Sequence, residues 1–189
     1  MPLMRQVVLL RGVNLGPRNR IAMAALRNEL AAAGLQDVST YVQSGNIVLS
    51  SDAPPDQLAR DCEQLVSNAF GLRIEAVART RDELAAVVQR NPLADVAVNP
   101  KRYQVSFLSA EPDPDALRAC EAAAAPQERL VAIGRELYAW HPDGVGRSRL
   151  WAKLAGPALG VTATARNWST VTALLAMADS GLRELHLRA

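Results

Sequence analysis

Residues 5–23 read RQVVLLRGVNLGPRNRIAM, an aliphatic run, a loop crowded with glycine, asparagine and arginine, and then a helical pattern. Val7 to Leu10 fit a buried strand, while Met23, Leu26 and Leu30 recur on one face of a helix over residues 21–33. A strand feeding a helix through a short loop opens a unit in which helices pack on one face of a sheet. The joint also carries the first candidate chemistry. Gly12 and Gly16 permit close backbone approach, Pro17 fixes a turn, and Arg11, Arg18 and Arg20 bring three cations to the start of a helix.

Working outward, Gly34 stops the first helix, residues 38–42 alternate into a strand, and Ser44, Gly45 and Asn46 turn it into a returning strand over 46–51. Pro54 and Pro55 open the next helix, where Leu58, Cys62, Leu65, Val66 and Ala69 recur at helical spacing until Gly71. A strand follows over 73–79. Thr80 with Glu83 is a capping box that starts a helix burying Leu84, Val87 and Val88 and ending near Asn91. Strand, helix, strand, strand, helix, strand is the ferredoxin-like βαββαβ order, here with one helix added.

Residues 91–101, NPLADVAVNPK, hold two Asn-Pro pairs and little periodicity, the composition of a linker. The order then returns: a strand at 103–108, a helix at 114–125, a hairpin from 129–133 to 136–140 turning at Gly134 and Arg135, a helix at 148–155, a strand at 161–166 and a last helix capped by Asn167. Val42, Gly45 and Leu49 match Val131, Gly134 and Tyr138. Arg79, Leu84, Val87 and Val88 match Arg166, Val171, Leu174 and Leu175 at an offset differing by two residues. The expected architecture is therefore α+β, a tandem repeat of two ferredoxin-like subdomains, each followed by an extra helix: residues 1–91, a linker at 92–101, and residues 102–189 ending in a short tail. Leu185 and Leu187 in that tail are placed as a short strand on a sheet edge, in this chain or in a partner.

Composition excludes several classes. With 189 residues and 49% hydrophobic composition, the chain can bury one generous core or two small ones. Its net charge of +2, from 21 basic and 19 acidic residues, spreads no basic field for nucleic acid and offers no acidic tail. The four aliphatics from Val7 run straight into Arg11, so they form neither a secretion signal nor a membrane anchor, and the expected address is the cytoplasm. Cys62 and Cys120 sit in helical patterns as core residues. His141 and His186 have no second ligand at metal spacing, so neither a metal nor a cofactor is expected.

Three stretches could carry function. Placing the first and third strands of each unit parallel puts their exit loops on one edge: 12–20 with 50–55, and 109–114 with 141–149. The 109–114 loop is acidic, but HPDGVGRSR supplies Gly144, Gly146 and Arg147 ahead of Ser148 as a helix cap, so each half keeps one glycine-and-arginine loop. Converging backbone N–H groups and guanidinium forks suit an anion, with Asn14 and Asn19 beside Arg11, Arg18 and Arg20; the competing reading is tight turns with solvated arginines. Neither loop matches a GxxxxGK[ST] or GxGxxG fingerprint. Arg166, Asn167 and Trp168 could clamp a planar or anionic ligand, or serve as ion-pair partner, cap and core anchor. On the parallel reading they leave the sheet on the edge away from Gly144. Finally, Tyr103 and Phe107 on one strand and Tyr138 and Trp140 on another share a face, as in sheets that stack single-stranded nucleic acid, or as in a packed core; they are four of the eight aromatic residues.

LLRGVNLG with Asn19 and Met23, TYVQSGNIVLSS at 40–51, DGVGRS at 143–148 and TARNWSTV at 164–171 together resemble the bacterial DUF1697 family, a domain of unknown function. The resemblance implies a cytosolic α+β protein of two ferredoxin-like subdomains and no established activity, so it transfers no catalytic residue. The readings left standing are a binding module for a small anionic or nucleotide-like ligand, a single-strand nucleic-acid binder, and an enzyme acting on a phosphate-containing substrate.

Overall fold

The computed structural model describes residues 3–187, with side chains through residue 180. The chain packs as two compact units. One comprises the residues up to Ala86 together with those from Ala173 onward, and the other is Val87–Thr172. The divisions fall inside two helices, and residues 92–101 pack with the second unit.

In the first unit β1 (Met4–Leu10), α1 (Met23–Ala32), β2 (Gln36–Tyr41), β3 (Asn46–Ser51), α2 (Pro55–Phe70) and β4 (Ala76–Thr80) are followed by the start of α3 (Arg81–Arg90). The sheet order is β2-β3-β1-β4 and the pairings are antiparallel, the ferredoxin-like arrangement. Val8, Leu10, Ile47, Leu49 and Ala78 face the helices and pack with Met23, Leu26 and Leu30 of α1 and with Leu58, Cys62 and Val66 of α2. The 3.6-residue repeat of those apolar positions turns one stripe of each helix onto the sheet. Thr80 and Glu83 cap α3 reciprocally, Glu83 N–H to Thr80 Oγ1 at 3.1 Å and Thr80 N–H to Glu83 Oε2 at 2.8 Å.

The second unit repeats the order: β5 (Tyr103–Leu108), α4 (Pro114–Glu121), β6 (Arg129–Ile133), β7 (Glu136–Trp140), α5 (Arg149–Ala155), a 3-10 turn at Pro157–Leu159, β8 (Ala163–Asn167) and the start of α6 (Trp168–Leu187), with sheet order β6-β7-β5-β8. The protein is thus α+β, with two four-stranded antiparallel sheets and two ferredoxin-like subdomains. Leu108, Cys120, Leu137, Ala139, Leu150 and Leu154 form the core between sheet and helices.

Four expectations change. The first and third strands of each repeat are antiparallel: Met4 lies opposite Ser51 and Leu9 opposite Asn46, Tyr103 opposite Trp140 and Phe107 opposite Glu136. The cause is the split βαβ crossover. It makes the first and second strands parallel, and the hairpin partner of the second slots between them in the opposite sense. The hairpin alignment of the repeats also shifts by one residue. Val7 is flanked by Val48 and Arg79, and Val105 by Tyr138 and Arg166, so Val48, not Leu49, is the counterpart of Tyr138. A one-residue slip would move Tyr138 to the opposite face. The match of Arg79 with Arg166 stands, and each donates Nη1 to the carbonyl of the preceding residue, at 2.9 and 2.8 Å.

The third change is that α4 ends at Glu121 rather than Ala125. The N–H groups of Ala123 and Ala124 turn to carbonyls three residues back, and Glu128 Oε2 captures the Ala125 N–H at 2.9 Å, just before Pro126. Lastly, Leu185 and Leu187 continue α6 instead of forming a strand. Among the described residues no helix is long and apolar enough to cross a membrane.

Candidate functional site

Antiparallel pairing redistributes the loops. The 12–20 loop follows β1 and shares its edge with the β2–β3 hairpin and the start of β4: Leu10 N–H bonds Gly45 O at 2.9 Å and Arg11 N–H bonds Glu75 O at 2.8 Å. The 50–55 loop lies at the other end of that sheet. In the second unit, the 141–149 loop leaves β7 on the edge where β8 delivers Arg166, Asn167 and Trp168, because Trp140 and Asn167 flank the neighbouring residues Tyr103 and Gln104 of β5. The expectation that these two groups lie at opposite edges is corrected for the same topological reason.

The 12–20 loop is largely held by its own side chains. Asn14, at φ +57°, donates Nδ2 to Ile21 O at 2.9 Å and to Gln43 O at 2.7 Å, and its Oδ1 accepts from Ile21 N–H at 3.0 Å. Asn19, at φ +52°, reaches Gly12 O at 3.4 Å. Asparagine tolerates that left-handed backbone and supplies local hydrogen bonds, so both act as staples of a tight loop. Arg11 pairs with Glu75 Oε2 at 2.6 Å, and Arg20 Nε bonds Gly16 O at 3.2 Å. Arg18 alone of the three is exposed with no hydrogen bond or ion pair. No side chain caps α1.

The second loop is different. Gly144, Gly146, Arg147, Ser148 and Arg149 form one wall of a cleft of ≈ 840 Å³ whose other wall is the turn at 122–128. Arg147 and Arg149 are exposed and make no hydrogen bond or ion pair. Gly144 needs its glycine, at φ +83°, for the turn, whereas a Cβ at Gly146 would meet nothing within 4 Å on an ordinary backbone. Across the cleft, Gln127 Nε2 donates to Asp143 Oδ2 at 2.9 Å.

Beneath this loop lies a buried polar trio. His141 is fully buried, and its Nδ1 is 2.7 Å from Glu128 Oε1 and 3.2 Å from Ser148 Oγ. The Ser148 hydroxyl also accepts the Trp151 N–H at 2.9 Å, capping α5. The Trp151 indole meets the His141 ring edge-on at 5.8 Å. Burial pushes the Glu128 carboxyl up, but hydrogen bonds from Ser148, the Ala125 N–H and His141, together with the charge interaction with His141, outweigh it and hold Glu128 below the ordinary range. Both His141 contacts fall on Nδ1, and Nε2 is enclosed without a partner.

Sequence reasoning missed Glu128 as His141's partner, although a signal existed. Arg129 pairs with Trp140 in the β6–β7 hairpin, and extending that register by one residue sets Glu128 against His141. The remaining candidates resolve into structural parts. Asn167 Oδ1 caps α6 through the Thr170 N–H at 2.9 Å. Trp168 stacks on Tyr103 with ring centroids 4.8 Å apart at 16°. Arg166 bonds Thr164 Oγ1 at 2.7 Å beside Ala165 O, and desolvation lowers its pKa to about 10. None of the three lines the cleft. Tyr103, Phe107, Tyr138 and Trp140 are all buried, with at most 7% of their surface exposed, and the Tyr138 hydroxyl bonds Val87 O at 3.2 Å. Buried in this way, the four rings present no open face to a stacking base, and nothing in the structure supports the sheet-face route to nucleic acid. Among the described residues no group of three or more His, Cys, Asp or Glu is placed to hold a metal.

Residues 3–138 match a family described as "Protein of unknown function (DUF1697)". The chain belongs to the DUF1697 family. The match takes in the 12–20 loop and the β2–β3 hairpin, while the 141–149 loop lies beyond it. A solved structure of a conserved bacterial protein from Streptococcus pneumoniae is similar over 94% of this chain and 99% of its own, at 24% identity and a TM-score of 0.74, a likeness of fold. No curated protein matches.

Proposed function

We propose that this DUF1697 protein binds a small anionic ligand in the cleft between residues 122–128 and 143–149. One observation carries the reading: Arg147 and Arg149, two exposed guanidiniums with no internal partner, stand on the wall of this cleft of ≈ 840 Å³. Guanidinium groups in this state keep their full donor forks for a bidentate oxyanion. The first loop is the weaker candidate, because Arg11, Asn14, Asn19 and Arg20 are engaged in holding the loop itself. Buried, unpaired Cys62 and Cys120 suit a reducing compartment such as the cytosol.

Calorimetric titration with pyrophosphate tests the reading. Binding is expected in the parent protein, weakening as salt rises, absent in an Arg147→Ala/Arg149→Ala variant and retained in Arg11→Ala/Arg18→Ala. The opposite dependence on the two variants would move the site to the first loop. Absence of binding in the parent protein would remove the proposal.

An enzyme acting on a phosphate-containing substrate has the Glu128–His141–Ser148 trio in its favour. In a serine–histidine–acid relay, however, the acid and the hydroxyl occupy different ring nitrogens. Here both meet Nδ1 and Nε2 is shut in, so the trio braces the loop that carries the arginines.

A further inference from the structure

Taking the anion reading of this cleft as its premise, we infer that the ligand is a phosphorylated sugar, its phosphate on Arg147 and Arg149 and its hydroxyls on the Gln127–Asp143 pair. Four features point the same way. The cleft, at ≈ 840 Å³, falls within the ~300–1,000 Å³ range of small-molecule sites and has far more room than a bare oxyanion fills. An anionic carboxylate, Asp143, shares the cleft with the two arginines, so the ligand must present something other than negative charge to it.

The chemistry of the Gln127–Asp143 pair supplies the third feature. Its two side chains come from opposite walls and meet at 2.9 Å. The carboxylate keeps acceptor positions beyond that bond, and the amide keeps a second N–H and its carbonyl. Adjacent hydroxyls, each both donor and acceptor, satisfy such a pair. The charge arrangement also orients the molecule, since Asp143 repels a phosphate that the arginines attract.

The fourth feature separates a sugar from a nucleobase. No aromatic side chain lines the cleft, and the facing wall at 122–125 consists of four alanines. A base would have no ring to stack on, whereas methyl groups and backbone suit the C–H face of a sugar ring.

Thermal denaturation of the full chain with inorganic phosphate, ribose, ribose 5-phosphate and AMP, each at one concentration, is the test. Ribose 5-phosphate is expected to raise Tm by roughly 5 °C or more at saturation, phosphate by clearly less, ribose by nothing, and AMP by no more than ribose 5-phosphate. Arg147→Ala/Arg149→Ala should abolish every shift. Asp143→Ala, on an exposed loop, should reduce the ribose 5-phosphate shift to that of phosphate. Equal shifts from phosphate and ribose 5-phosphate, a larger one from AMP, or a full ribose 5-phosphate shift in Asp143→Ala would overturn the sugar assignment and leave the anion site standing. No shift from any phosphate compound would overturn both.

Discussion

Replacing Ser148 by alanine perturbs two things at once, and a second variant in the same unit separates them. The Ser148 hydroxyl caps α5 through the Trp151 N–H and also bonds the buried Glu128–His141 pair. Asp113 caps α4 in the same way, accepting from Asp115 N–H at 2.8 Å and Ala116 N–H at 3.1 Å, but on the exposed surface with no buried neighbour. Loss of a cap alone costs about 1 kcal/mol, the value expected for Asp113→Ala. Ser148→Ala loses a cap as well and leaves a buried carboxylate short of a donor, which adds about 1–2 kcal/mol, so the expected total is about 2–3 kcal/mol.

Urea denaturation at pH 7 measures both variants, with the slope unchanged if only the native state is affected. The pH dependence carries an independent sign. Glu128 has its carboxyl lowered from 4.5 in the fold, so its stabilisation is complete above that ordinary value and is lost as pH falls through the lowered one. The gap between the parent protein and Ser148→Ala should therefore be full at pH 7 and shrink in acid below about pH 4.5. If the two alanine variants lose the same stability to within about 0.5 kcal/mol, or the gap does not narrow in acid, Ser148 is only a cap and the buried trio does not brace the loop.

A Cβ on Gly45 (φ +71°) would lie 2.8 Å from Leu10 Cβ, whereas one on Gly134 (φ +58°) would meet nothing within 4 Å. Gly134→Ala should thus cost about 1 kcal/mol in an equilibrium unfolding measurement, for backbone conformation alone, and Gly45→Ala about 2–4 kcal/mol because crowding is added. Cys62, whose thiol is pushed up to about 12 by burial with Asp61 and Glu63 adding to it, should resist a thiol-specific reagent at pH 8 in the native protein and react once urea unfolds the chain. Gly146→Ala should leave stability within about 0.5 kcal/mol of the parent protein, since neither backbone angle nor neighbouring atoms require glycine there. Weakened pyrophosphate binding in that variant would show that the ligand approaches its backbone.

Much of the local architecture was legible before any coordinates. The helix-start signals at Thr80, Ser148 and Asn167 act between residues three apart, and each acts as the sequence pattern suggests. Apolar periodicity placed Leu26, Leu30, Cys62 and Val66 in a core, because a 3.6-residue repeat turns one stripe inward wherever the helix docks. Reading helix into residues 122–125 failed through the strong intrinsic preference of alanine, which the Glu128 carboxylate three residues on and Pro126 override. Arg11, Asn14, Asn19 and Arg20 looked available to a ligand in sequence because nothing in the letters shows that Glu75, Gln43, Gly12 and Gly16 would engage them.

The sequence by itself determined the order of the elements, where most of them begin and end, and that the order occurs twice, since those properties follow from interactions between near neighbours along the chain. Only the tertiary structure decided which strand ends share an edge. The crossover makes the first and second strands parallel, the hairpin after it sets the third antiparallel to the first, and this one orientation brings the 141–149 loop to the edge of Arg166 and away from the 109–114 loop. The cleft itself is a product of that folding. Its walls come from residues some 20 positions apart across the β6–β7 hairpin, and the burial that joins Glu128, His141 and Ser148 beneath it exists only once the sheet and helices have closed.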